Sequence, residues 1–157
     1  KKLKDSKKIS KKNREYLEKY IKKNSCWAIG SASLKEIEKL NILNASLLAM
    51  KRAIRKLKKK PTLILIDGNK LPKMKNYKLK SIIKGDQKIS EISAASIVAK
   101  VSRDRLVGNF SKNFNKYKWG KNAGYGTKDH IAAIKKYGVT KFHRKTFKPI
   151  HNILSLK

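Results

Sequence analysis

Residues Thr62–Asn69, TLILIDGN, constrain the fold more than any other stretch. Four consecutive large apolar residues, Leu63, Ile64, Leu65 and Ile66, lie between Pro61 and Gly68 and run into Asp67. A short apolar run bounded by such breakers reads as a buried strand rather than a helix. Asp67 then sits where the strand leaves the core, and open α/β sheets place ligands beyond the carboxyl ends of their strands. A second acid, Asp86, follows another apolar segment in SIIKGD, Ser81–Asp86. Read alone, the Asp-Gly and Gly-Asp dipeptides are equally good turn formers.

The flanking sequence predicts helices around these strands. Residues 10–23 form a helix capped by Ser10, with Leu17, Tyr20 and Ile21 on one face. Cys26–Ser33, CWAIGSAS, is short, apolar and rich in small residues, which predicts a strand. A brief helical turn at Ser33–Leu40 leads into a stronger helix over Ile42–Leu57, where Leu43, Leu47, Met50, Ile54 and Leu57 make a core-facing stripe. Leu79–Lys84 reads as another strand. Ser90 caps a long helix to about Phe110, with Ile92, Ala95, Ala99, Leu106 and Phe110 available for burial. Its small residues Ala94, Ala95, Ser96 and Ala99 suit close packing on a sheet. Trp119–Thr127 reads as a glycine-punctuated loop, and Thr127–Tyr137 as a helix between a threonine cap and Gly138. The tail Phe142–Pro149, FHRKTFKP, mixes aromatics and bases. The class is α/β with helices outnumbering three visible strands, which is few for a stable sheet.

Charge points to the partner. Against 10 acids stand 42 lysines and arginines, a formal net charge of +32, which calls for a polyanion and above all nucleic acid. Only six of those bases are arginine, and an AT-rich coding bias would also enrich lysine, so the sign of the charge carries more than its size. Cys26 is the only cysteine, which excludes an intrachain disulfide and a cysteine-based zinc site. His130, His143 and His151 lack metal-ligand spacing. No apolar run approaches the ~18–20 residues that span a bilayer, and the cytoplasm is the expected location. The 157 residues, without repeats or linkers, suit one domain, expected to be a monomer.

Two aspartates at strand ends in a basic chain suggest metal-dependent phosphodiester chemistry, because Mg²⁺ and Mn²⁺ prefer carboxylate oxygens. Glu91 and Asp104 lie on the following helix, where surface ion pairing is the default role of an acid. A non-catalytic basic nucleic-acid-binding protein, of the kind associated with ribosomes, needs no metal and would use Asp67 and Asp86 as turn residues.

Seven strings occur in one order: DSKK (Asp5–Lys8), LNILNAS (Leu40–Ser46), LILIDGN (Leu63–Asn69), KGD (Lys84–Asp86), ISAASIVAKVSRD (Ile92–Asp104), GYGT (Gly124–Thr127) and HRKTF (His143–Phe147). Together they resemble bacterial ribonuclease HII, the type 2 ribonuclease H, from about Lys4 to Pro149. The resemblance implies a ribonuclease H-like fold with a mixed central sheet and a helical carboxyl-terminal part. It implies an endonuclease that cuts the RNA strand of RNA–DNA hybrids and nicks duplex DNA 5′ of an embedded ribonucleotide, with Mn²⁺ or Mg²⁺ as cofactor. By the match, Asp67 and Asp86 take the places of the family's third and fourth metal-binding carboxylates. Tyr125 matches the tyrosine that stacks on the sugar just past the ribonucleotide, one way to read an RNA–DNA junction. Asn41 and Asn44 fall where the family touches the DNA strand, the second being asparagine in place of the commoner Gln or His. Lys7 and Lys8 are placed for phosphate contact, whereas Arg103, Asp104, His143 and Arg144 are structural first.

One departure bears on activity. The family's Asp-Glu-x-Gly-Arg-Gly strand, which supplies two carboxylates and a 2′-hydroxyl-sensing loop, occurs nowhere in these 157 residues. The expectation is an amino-terminally incomplete domain that is inactive alone, short of its first strands, and prone to aggregate through an open sheet edge. A decayed copy would have the same sequence signature.

Overall fold

The structure is a computed structural model that describes residues 9–155; Lys7 and Lys8 lie outside the described residues. The helix α1 (Lys11–Asn24) begins as its sequence dictates, with the Ser10 hydroxyl accepting from the Asn13 amide. Its inward face differs from the expected one. Tyr20 is exposed, and the residue sealed against the rest of the molecule is Glu18, at 2 % exposure. Burial alone would push the Glu18 carboxyl up, but hydrogen bonds from Lys22 and Arg105 outweigh it and hold it below the usual range. Lys22 comes from the next turn of α1, while Arg105 reaches across from α4 (Ser90–Asn109) at 3.4 Å.

Cys26–Ser33 is not a strand. The segment runs along helix α2 (Leu34–Lys56), where a Cβ on Gly30 would meet the Ala49 carbonyl oxygen at 2.0 Å and the Ala53 nitrogen at 2.5 Å. Its small residues serve a backbone-on-helix approach and not a sheet. Ser33 and Glu36 close a capping box at the start of α2, and Arg52 of the same helix anchors Glu36. The turn and the stronger helix expected on either side of residue 41 are one element with a kink at Asn41, whose φ is 66° and ψ is 168°. Of the expected stripe, Ile54 is buried, Leu47, Met50 and Leu57 are half-buried, and Leu43 is exposed.

Strands β1 (Ile64–Asp67) and β2 (Leu79–Ile82) form a two-stranded parallel sheet in which Asp67 stands opposite Ile82. Among the described residues this pair represents the sheet. Ile64 and Ile66 point into a small core with Ile54, flanked by Met50, Met74, Tyr77 and Leu79. The short helix α3 (Gly85–Lys88) follows β2, and α4 follows it after Ile89. Ser90 is therefore the first residue of α4 and not its cap; Ile89 takes the cap position, without a side-chain hydrogen bond. The small-residue face packs inward only in part, with Ala94 and Ser96 half-buried. Ala95, Ala99 and Leu106 are exposed, while Ile92, Ser93, Ile97, Val98 and Val101 are buried. β-branched side chains on the opposite side of α4 fill the space between the sheet and the carboxyl-terminal helices.

The second core lies in that carboxyl-terminal part, built around α5 (Trp119–Asn122), α6 (Lys128–Tyr137) and α7 (Lys148–Ser155). Trp119 and Tyr117 stack at 5.3 Å and are ringed by Phe110, Phe114, Phe142, His130 and His143. The stretch expected to be a loop from Trp119 is thus a helical turn at its start, because Trp119 has to be buried. Helix α6 is as expected: Thr127 accepts from the His130 amide, and Gly138 ends the helix at φ 80°.

Candidate active site

The parallel register decides what meets what at the end of the sheet. Because Asp67 lies opposite Ile82, the chain beyond β2 passes alongside the Asp67 carboxylate within three residues. The Gly68 amide donates to the Ile82 carbonyl at 3.0 Å, and the Gly85 amide donates to Asp67 Oδ1 at 2.8 Å. Asp86 is the next residue. Both aspartates therefore leave the same edge, the carboxyl ends of paired strands, where an α/β sheet offers its ligand crevice. Asp67 is exposed and Asp86 half-buried.

Lys84, at φ 56°, turns the chain sharply out of β2, and Gly85 is buried at the point of closest approach. A Cβ there would stand 2.6 Å from Ile92 Cδ1 and 3.5 Å from Asp67 Oδ1. Ile92 belongs to α4, so one glycine lets the aspartate pair sit directly on that helix. The Lys84–Asp86 string holds this device in plain view, but its purpose shows only once β1 lies beside it.

Two carboxylates suit a hard divalent cation by donor chemistry. Among the described residues they do not belong to any group of three or more His, Cys, Asp or Glu side chains able to hold a metal ion. The carboxylates of Glu91 and Asp104 do not complete such a group. Asp104 pairs with Lys100 at 2.8 Å, in the ion-pair role expected for it, and Glu91 is exposed.

Tyr125 is 60 % exposed on the loop before α6. It is fixed to α4 by Lys100, whose ammonium donates to the Tyr125 hydroxyl at 3.0 Å and lies 4.7 Å from the ring centroid. Burial by itself would push that ammonium down, but the hydrogen bonds to Asp104 and Tyr125 outweigh it and hold it above the usual lysine range. Arg103 reaches the Ala123 carbonyl, and Gly124, at φ 79°, lies under its guanidinium. Lys100 is the link that reading the sequence did not single out. Its spacing of four from Asp104 was the available signal.

The asparagines separate. Asn41 is occupied structurally: its side-chain oxygen accepts from the Asn44 amide at 3.0 Å, capping the second half of α2. Asn44 presents an exposed side chain one turn on. His143 and Arg144 are structural, as expected. His143 stacks on His130 at 5.4 Å inside the aromatic cluster, and Arg144 covers the Phe147 ring. No helix among the described residues is long and apolar enough to cross a membrane.

Comparison with known proteins bears on the family and the fold. The family model for ribonuclease HII matches residues 1–150. The ribonuclease HII of Pelagibacter ubique is 70 % identical over 152 residues, which are 97 % of this chain and 82 % of that protein. That of Borreliella burgdorferi is 52 % identical over 150 residues, 96 % of this chain and 83 % of that one. The crystal structure of ribonuclease H2 from Pyrococcus horikoshii OT3 superposes with a TM-score of 0.70 at 23 % identity, covering 98 % of this chain and 81 % of the other. That likeness establishes the ribonuclease H-like α/β fold. With the family model spanning nearly the whole sequence and close relatives bearing the same name, this chain belongs to the ribonuclease HII family of ribonucleases H.

Proposed function

We propose that this family member cuts the RNA strand of RNA–DNA hybrids and nicks duplex DNA 5′ of an embedded ribonucleotide, with Mg²⁺ or Mn²⁺ as cofactor. The observation that carries the reading is that Asp67 and the turn carrying Asp86 leave the same sheet edge, with the Gly85 amide donating to Asp67. Asp67 and Asp86 would hold such ions, which when bound would supply activation of a water and charge stabilisation at the departing 3′ oxygen. Asp67 and Asp86 would supply oxygen ligands. The hydrogen bond from the Gly85 amide occupies one Asp67 oxygen. Tyr125, held by Lys100, offers an open ring to a deoxyribose. Asn44, and Asn41 through its cap, line the approach of the DNA strand, and Lys7 and Lys8 contact phosphate.

Two carboxylates are half of the family's set, so the 157 residues assayed alone do not cleave; a chain that also carries Asp-Glu-x-Gly-Arg-Gly does. The chain acts as one domain and one monomer. The test uses a duplex with a single ribonucleotide. Strong Mn²⁺-dependent nicking by the 157-residue chain would overturn the statement of inactivity. In the longer chain, Asp67→Asn and Asp86→Asn should each remove cleavage while hybrid binding persists. Cleavage that survives either change would show that the aspartates are turn residues, as in a non-catalytic binder.

A further inference from the structure

A groove of about 610 Å³ opens at the other end of the sheet, lined by Lys51 and Arg55 on one side and by the Lys73–Tyr77 segment, Asn76 included, on the other. Lys51 and Arg55 are one turn apart near the end of α2, which feeds the amino end of β1. Lys73 and Lys75 belong to the crossover that returns the chain to the amino end of β2, where the Ile64 amide donates to the Lys78 carbonyl at 2.9 Å. A parallel strand of four residues puts this groove about 10 Å from the aspartates along the sheet axis. Lys60 adds a fifth cation, lying over the Tyr77 ring at 5.3 Å.

The groove contains no acid, and among the described residues none of the five cations lies within 4 Å of a carboxylate. That separates them from cations the fold uses, such as Lys22, Arg52, Lys100 and Lys118, each of which has an acidic partner. Tyr77 and Met74 pack into the Ile54–Ile64–Ile66 core and make the floor, so the groove offers charge on an apolar base and no free ring for stacking. Concentrated, unpartnered positive charge over a shaped floor suits a run of phosphates.

We infer that this groove is a second nucleic-acid site, taking the sugar-phosphate backbone of duplex DNA away from the segment presented to Asp67 and Asp86. Its nucleic-acid partner rests on the function proposed above. A contact of this kind adds sequence-independent affinity and keeps the protein on a long duplex between encounters with a ribonucleotide.

The experiment measures binding of the 157-residue chain to an all-DNA duplex without divalent metal, as a function of salt. Such a duplex has no cleavable ribonucleotide, so the result is independent of catalysis. The variant is Lys51→Gln, Arg55→Gln, Lys73→Gln and Lys75→Gln together; the control makes the same charge change at Lys112, Lys116, Lys135 and Lys136. The slope of log affinity against log salt should fall by about 3.6 in the groove variant, since each lost phosphate contact removes about 0.9, and by under about 1 in the control. If the four-site variant does not fold, Lys73→Gln with Lys75→Gln on the surface segment should show roughly half the drop. Equal losses in variant and control, or an unchanged slope, would overturn the inference.

Discussion

The Gly85 amide donates to Asp67 Oδ1 at 2.8 Å, across 18 residues of sequence. This bond ties the end of the first strand to the turn that carries Asp86, so the geometry of the two aspartates depends on a backbone group with no side chain of its own. Two effects of a side chain at this position oppose each other. The added methyl would clash with Ile92 Cδ1 at 2.6 Å, whereas the amide that serves Asp67 would remain.

Gly85→Ala should therefore destabilise the fold by about 1–3 kcal/mol, because Ile92 can turn aside only within a packed core. In a chain with a complete metal site it should also weaken cleavage, since any relief moves the turn away from Asp67. Urea denaturation reads the first effect; an unchanged midpoint would mean that the close approach does not exist.

Asn41 combines a left-handed backbone with a cap. Asn41→Gly keeps the backbone freedom and loses the side-chain bond, which should cost only a few tenths of a kcal/mol. Asn41→Val loses both and should cost roughly 2–3 kcal/mol, adding about 1–2 of backbone strain to about 1 of lost cap. Equal thermal midpoints for the two variants would argue against a kink in α2.

His143 sets a pH dependence. Burial, aided by the neighbouring His130, holds its imidazole down from 6.5 to about 4, against a smaller upward effect of the Thr140 backbone. The unfolded chain binds the proton first as pH falls, so this stability is fully present above pH 6.5 and is lost on descent toward pH 4. The loss should reach roughly 3 kcal/mol at most. Urea midpoints between pH 7 and pH 4.5 in His143→Phe should fall less steeply than in the parent, and parallel curves would contradict this origin.

Ile97 is fully buried in the middle of α4, the helix on which both the Asp86 turn and the Tyr125 loop rest. Ile97→Ala should cost about 2–5 kcal/mol through the cavity it leaves. Calorimetry measures it directly, and a cost under about 1 kcal/mol would show that the helix collapses onto the gap.

By itself the sequence determined what local chemistry controls. Ser10, Thr127 and Gly138 cap their helices where they should, Ile64–Asp67 of the apolar run makes a strand while Leu63 stays outside it and exposed, and the break before Ile42 is visible as Asn41. Each depends on groups within a few residues of one another, and the seven family strings reported the rest of the resemblance. Tertiary structure alone decided which faces are inside. Cys26–Ser33 has strand composition, yet α2 lies against Gly30 and, among the described residues, no strand pairs with it. Ala95 and Ala99 of α4 face solvent because its β-branched side holds the core, and His130 and His143 meet only because α6 and the segment after it fold an aromatic cluster around Trp119. Above all, the sequence supplied Asp67 and Asp86 as separate acids, while the parallel register of β1 and β2 brought their turns together. Long-range register follows from the packing of the whole chain, and no local pattern encodes it.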